Sequence, residues 1–241
     1  MFDFLLTTDG WMSLLTLLFM EIILGVDNII FISIIADRLP KAQQQRARTI
    51  GLTLALLVRV GLLFSISWLT HLTEPIATFG TFNLSIRDLI LLAGGFFLLY
   101  KTTKEIHNKI EGEEDHINRK GKSTFASVIS QIIVIDVVFS VDSILTAIGL
   151  VDHVSIMIIA VVAAMIFMLV FANAVSSFIS KHPTIKMLAL SFLLMIGFLL
   201  IADGLHYHID KKYLYFAMSF SFLVEFLNMR ATKKKPKKDS Q

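Results

Sequence analysis

The chain has 241 residues, of which 55% are hydrophobic and 17% charged, and its mean hydropathy of +0.73 excludes an ordinary soluble domain. Its formal charge of +3 comes from Lys and Arg residues at the edges of apolar runs rather than on one basic face, which excludes a nucleic-acid-binding module. No cysteine is present, so disulfide frameworks, thiolate metal sites and dithiol redox chemistry are excluded as well.

Apolar runs of about 20 residues define an all-α, polytopic membrane protein. In chain order, seven helical spans are predicted at 11–36, 50–70, 86–101, 124–149, 154–179, 187–205 and 212–229. The first run has no basic residues before it and is too long for the apolar part of a signal peptide, so it is read as a retained span. Pro75 and Pro183 fall in connections, and Val151-Asp152-His153 joins the fourth and fifth spans tightly. With the N-terminus outside, the inner loops and tail hold 18 basic residues and the outer loops hold three, Arg87, Lys211 and Lys212. That asymmetry sets an N-out, C-in orientation. Residues 1–229 form one transmembrane domain, and 230–241 form a basic cytoplasmic tail whose lysines Lys233–Lys238 anchor to lipid headgroups. The run Glu111-Gly112-Glu113-Glu114-Asp115 in the long inner loop reads as a solvated linker.

Two stretches stand out. Span one contains Glu21-Ile22-Ile23-Leu24-Gly25-Val26-Asp27-Asn28, and span four contains Asp136-Val137-Val138-Phe139-Ser140-Val141-Asp142-Ser143. An offset of 115 maps Glu21 onto Asp136, Gly25 onto Ser140, Asp27 onto Asp142 and Asn28 onto Ser143. A charged side chain at the bilayer centre costs about 2.5–3.5 kcal/mol on insertion scales, so such residues mark function by default. The competing interpretation is a structural network of protonated acids, but duplication of four acids argues against it. Three crossings separate the two copies, so they run antiparallel. The spans within about 11–101 and 124–205 therefore form a 3+3 inverted repeat, with 212–229 as an additional helix. Inverted repeats place their substrate at the repeat interface near the midplane.

On a regular helix Glu21 and Asn28 share a face, as do Asp136 and Ser143, whereas Asp27 and Asp142 lie about 120° away. Gly25 and Ser140 are therefore expected to mark either a helix break or close packing of spans one and four. The candidate ligands are Glu21, Asp27, Asn28, Asp136, Asp142 and Ser143, all oxygen donors. Such a set suits Mg²⁺, Ca²⁺ or Mn²⁺ rather than Zn²⁺ or Cu⁺. The neighbouring Met20 leans weakly toward Mn²⁺.

Other polar residues admit two interpretations each. Arg59 in span two either pairs with a motif carboxylate or locks helices and snorkels. Asn173 lies within one residue of the position equivalent to Arg59, and either serves the second half-site or makes an ordinary interhelical hydrogen bond. Glu225 either lines an inner vestibule or sits at the interface, and the interface is favoured. Asp203, His206, His208 and Asp210 cluster at an outer mouth, either as solvated loop residues or as an exit site.

These motifs, together with Arg87-Asp88-Leu89-Ile90-Leu91, Lys104-Glu105-Ile106-His107, Tyr215-Phe216-Ala217-Met218 and Val224-Glu225-Phe226-Leu227-Asn228, closely resemble the signatures of the TerC family. That family is related to the LysE transporter superfamily, and the chain is similar to its compact bacterial inner-membrane branch without CBS domains. The resemblance implies a seven-span bundle in the inner membrane and, for several members, Mn²⁺ efflux. By position the family's motif acids correspond to Glu21, Asp27, Asp136 and Asp142. Asp203 and Lys211-Lys212-Tyr213 depart from the family's usual pattern at the outer mouth.

The sequence thus predicts a secondary exporter of divalent cations, with manganese the leading candidate, working by exchange for protons through a midplane carboxylate site. The alternative is a non-transporting membrane factor that assists assembly or metalation of membrane or exported proteins. No nucleophile–base pair, nucleotide loop or cofactor motif is present, so no enzyme is expected. No cofactor is expected to be permanently bound, and the metal ion is cargo. The expected partners are the lipid bilayer, the divalent ion and protons, with a homo-oligomer admitted and nucleic acid excluded.

Overall fold

A computed structural model of the protein describes residues 7–80, 82–111, 124–149, 151 and 153–233. The acidic run beyond Glu111, the basic residues Arg119, Lys120 and Lys122, Asp152, and the lysine tail beyond Lys233 lie outside the described residues.

Among the described residues, eight helices carry the fold: α1 (Thr8–Ala36), α2 (Lys41–Phe64), α3 (Ile66–His71), α4 (Ile86–Ile110), α5 (Phe125–Ile148), α6 (Val154–Lys181), α7 (Pro183–Gly204) and α8 (Lys212–Lys233). Their starts follow local chemistry. Thr7 caps α1 by accepting the Gly10 N–H at 3.2 Å, and Thr124 caps α5 by accepting that of Ser127. Ser85 and Asp88 form a reciprocal capping box on α4, and Pro183 opens α7 at a position where no N–H is needed.

Among the described residues, five helices, α1, α2, α5, α6 and α7, are long and apolar enough to cross a membrane. Helices α4 and α8, with 25 and 22 residues, have the length but are less apolar. In α4 the cause is visible in Arg87, Asp88, Lys101, Lys104 and Glu105, which stand at its two ends. It runs nine residues past the predicted end of the third span, and its extension holds Glu105, which pairs with Arg38 just after α1. Exposed Phe19, Phe64, Phe96, Val170 and Phe216 give the bundle an apolar outer surface, as lipid requires.

The predicted second span is interrupted at Ser65, and α3 follows as a separate short helix. An antiparallel hairpin then leads into α4: β1 (Pro75–Phe79) pairs with β2 (Phe82–Ser85), in a register that sets Thr78 opposite Asn83 and contains an irregularity between Pro75 and Ala77. The hairpin is a short insertion in an otherwise helical bundle, and the all-α membrane class stands. Gly80, at φ +64°, turns the hairpin where an L side chain would be strained.

The most extensive helix contacts are α4 on α7 and α1 on α6, followed by α2 on α5 and α2 on α6. The α4–α7 contact rests on backbone meeting backbone. A Cβ on Gly95 would lie 2.8 Å from the Gly197 carbonyl oxygen and 3.1 Å from the Ile201 nitrogen. Gly95→Ala should therefore push the helices apart and cost about 1–3 kcal/mol of stability. Gly61→Ala, where nothing lies within 4 Å, should be neutral or slightly stabilising. Thermal unfolding of the two variants in detergent checks the contrast.

Candidate functional site

Helices α1 and α5 enter the bundle centre with their motif acids buried: Glu21, Asp27, Asp136 and Asp142 are each between 4% and 6% exposed. The structure divides these acids into two groups. The first acid of each motif belongs to Arg59 of α2, itself 2% exposed. Its Nη1 donates to Glu21 Oε2 at 2.7 Å, its Nη2 to Asp136 Oδ1 at 3.1 Å, and its Nε to Ser140 Oγ at 2.9 Å. The Ser140 hydroxyl in turn donates to Asp136 Oδ2 at 3.1 Å. One guanidinium thus joins three helices and both halves of the duplicated pattern. Arg59 pairs with both motif carboxylates and in doing so also ties the three helices together. A planar fork with fixed donors is the side chain that can hold two carboxylates and a hydroxyl at once.

The second acids face a different space. Asp27, Asn28, Asp142 and Ser143 line one cavity of about 40 Å³, closed by Leu24, Phe139 and Leu200, with Arg59 at its wall. Asp27 makes no hydrogen bond or ion pair among the described residues. The Asn28 Oδ1 atom is buried without a hydrogen-bond partner among them. Asp142 is held from outside: Arg87 Nη2 donates to its Oδ1 at 2.8 Å, and Lys211 Nζ donates to its Oδ2. Lys211 lines the small cavity and also a larger one of about 510 Å³, which reaches from Glu21 and Met20 past Arg87 and Asp203 to the segment His208–Lys212. On the opposite side of the acids every residue of α1 from Asp27 to Ala36 is buried.

The expected face holding Glu21 with Asn28 is therefore split. Glu21 turns to Arg59, while consecutive residues Asp27 and Asn28 flank the small cavity, and Asp142 and Ser143 do the same on α5. No helix break accompanies this, because α1 and α5 run unbroken through Gly25 and Ser140. Nor do these two residues bring α1 and α5 together. Gly25 makes room for the Met168 thioether of α6, and Ser140 faces Arg59. The expected helix break is absent, and the close packing at Gly25 is with α6 rather than with α5.

The accessory residues are dispersed. Asn173 is exposed and accepts from Arg48 Nε at 3.4 Å, away from the acids, so the position equivalent to Arg59 is not matched in the second half. Glu225 lies half-buried beside a shallow groove between α7 and α8, with Met187, Ser191 and Phe220. Of the outer cluster, Asp203 and His208 line the larger cavity, while His206 Nε2 bonds to Asp88 Oδ2 at 3.0 Å. Asp210 is exposed, and hydrogen bonds from Lys212 hold its carboxyl below the usual carboxylate range. Arg87, Lys211 and Tyr215, which reach the cavities, were legible in the sequence only as outer charges or as part of a motif.

Chemically, the small cavity offers two carboxylates, an amide oxygen and a hydroxyl, all hard donors. Its volume suits a single ion that has shed most of its water, and is far below the about 300–1,000 Å³ of organic-ligand sites. Among the described residues, no group of three His, Asp or Glu side chains stands close enough to hold a metal ion.

The profile of the Integral membrane protein TerC family matches residues 6–240. The UPF0053 inner membrane protein YgdQ of Escherichia coli is 47% identical over 98% of this chain and 99% of its own length. The UPF0053 inner membrane protein YoaE of the same organism is 47% identical over 95% of the chain, which spans 44% of that longer protein. A UPF0053 protein of Buchnera aphidicola is 50% identical over a similar share. No solved structure matches the chain.

Proposed function

We propose, on the premise that this chain belongs to the TerC family of integral membrane proteins, that it is an inner-membrane secondary transporter exporting divalent metal cations, manganese first among them, in exchange for protons. The single observation that carries this reading is the buried cavity where Asp27 and Asn28 of α1 meet Asp142 and Ser143 of α5. Two carboxylates from two copies of one motif, with an unpartnered amide oxygen beside them, form a set of ligands for a cation. It repels oxyanions and offers nothing to bind a nucleotide or drive covalent catalysis, so the reading is a transporter and not an enzyme.

The remaining architecture supports the same reading. Seven spans follow if α4 and α8 cross the membrane beside the five more apolar helices. Under an inverted repeat, α1, α2 and α4 correspond to α5, α6 and α7. The contact of α1 with α6 then has its counterpart in that of α2 with α5, and α4 on α7 pairs equivalent helices. The three basic residues outside this repeat's inner loops, Arg87, Lys211 and Lys212, fall at the predicted outer mouth, consistent with N-out, C-in. The larger cavity opens from that mouth, and the buried inner half of α1 closes the other side, as an alternating-access site requires.

In mechanism, the ion reaches Asp142 and Asp27 as Arg59 keeps Glu21 and Asp136 neutralised. Carboxylates gathered at one buried site do not all stay ionised without a cation, so protons replace the metal as it leaves. Mn²⁺ flux into proteoliposomes tests the reading. Native protein should give saturable flux that responds to an imposed pH gradient, and Asp27→Asn with Asp142→Asn should reduce it to the level of empty liposomes. Competition by Ca²⁺ and Mg²⁺ then ranks the cargo. Folded native protein without flux would overturn transport of these ions and favour a membrane factor for assembly or metalation.

A further inference from the structure

The two second acids, equivalent in sequence, are unequal in the structure. Asp27 has no cationic partner among the described residues, whereas Asp142 has two, on separate oxygens. The two cations also differ from each other. Arg87 stands in the first turn of α4, 4.0 Å from Asp88, and Asp88 is itself fixed by the Ser85 capping box and by His206. Lys211 lies on the turn that enters α8, its side chain is 32% exposed, and it lines both the small cavity and the larger outer one. Its ammonium is a compact charge on a flexible stem, unlike the planar fork of Arg87. It can withdraw into the larger cavity without moving a helix.

We propose that Lys211 is a tethered cation that competes with the transported ion for Asp142 and thereby sets the affinity of the site. This rests on the reading of Asp27 and Asp142 as the cation seat. With Lys211 Nζ on Asp142 Oδ2 and Arg87 Nη2 on Oδ1, both ligand oxygens are taken, and withdrawal of the ammonium frees Oδ2 while Arg87 holds the carboxylate in place. When a divalent ion arrives from the outer cavity it must displace the ammonium. When the ion leaves, the ammonium returns and keeps the carboxylate from holding a second ion. Lys211 is thus a specificity-determining residue that touches the ligand rather than the cargo.

The test is Mn²⁺ binding to the purified full chain in detergent, read as the loss of the free-ion electron paramagnetic resonance signal. Lys211→Gln should bind Mn²⁺ about tenfold more tightly than native, the factor that removal of one charge-assisted hydrogen bond represents. Lys211→Arg should stay near native. Lys212→Gln removes the same formal charge one residue on, from a side chain paired with Asp210 at 2.5 Å, and should change little. Adding methylammonium to Lys211→Ala supplies the missing cation in solution and should weaken Mn²⁺ binding toward the native value, with no such effect on native protein. If native protein binds Mn²⁺ and Asp142→Asn does not, but Lys211→Gln is unchanged or weaker, competition is overturned and the cation seat stands. Failure of every Lys211 variant to fold would make the ion pair structural and overturn competition in the same way. If neither native nor any folded variant binds Mn²⁺, the seat and the competition fall together.

Discussion

Arg59→Met should yield little folded protein, even though Met fills much of the same space. The guanidinium is 2% exposed and holds two carboxylates that are themselves almost wholly buried. Its removal strands Glu21 and Asp136 without a counter-charge and takes from the Ser140 hydroxyl the hydrogen bond it accepts from Nε. Breaking one buried pair by deleting a partner costs about 3–5 kcal/mol, and two pairs share this guanidinium. Against a typical total of about 5–15 kcal/mol for a folded domain, that loss is decisive. Arg59→Lys keeps the charge but cannot span both carboxylates, so it should be intermediate. The informative variant is the neutral triple, Glu21→Gln, Arg59→Met and Asp136→Asn. It removes charges together and should recover most of the melting temperature that the single change loses. Monodisperse yield and thermal unfolding in detergent read all three. An Arg59→Met protein that melts with the native one would show that the triad does not hold α1, α2 and α5 together.

This triad also marks where sequence reasoning reached its limit. The helices are written in runs of apolar residues, and among the described residues five of the predicted spans meet helices apolar enough to cross a membrane, the second of them broken at Ser65. The duplicated acids were legible for the same reason: a charge inside an apolar run is conspicuous. Which cation answers which acid was not legible. Arg59 lies 38 residues from Glu21 and 77 from Asp136, so no periodicity connects them, and only the packing of α2 on α5 does. Arg87 and Lys211 entered the sequence analysis as outer charges counted for topology, a count that treats basic residues as solvated. Both instead reach inward to Asp142. Asn173 makes the ordinary interhelical hydrogen bond, with Arg48, and does not stand in for Arg59, because an offset of 115 presumes two rigid copies and among the described residues the two halves are not matched there. The hairpin at Pro75–Ser85 was hidden by its shortness, since two strands of five and four residues between helices look like a Pro- and Gly-containing connection.

Asp27→Asn should abolish transport while leaving the protein as stable as before, or more so. A structural acid is recognised by the partners it would strand if removed. Asp27 has none among the described residues: it is 6% exposed and makes neither hydrogen bond nor ion pair there. Keeping a carboxylate in such a place costs desolvation that no contact offsets, so its neutral isostere should gain about 0.5–2 kcal/mol. As one of the two carboxylates that line the small cavity among the described residues, however, its loss should lower Mn²⁺ flux by at least about 100-fold, since even supporting residues of metal sites are worth about 10–100-fold. Asp142→Asn removes the equivalent ligand and should lose flux to the same degree. Its stability should move the opposite way, because Arg87 and Lys211 would then both face an uncharged amide. The pair of variants therefore separates the two properties: flux lost in both, melting temperature raised or unchanged in one and lowered in the other. A transporting Asp27→Asn protein would remove α1 from the cation seat. An Asp27→Asn protein that melts as low as Asp142→Asn would mean that Asp27 has a structural partner and that its retention owes nothing to transport.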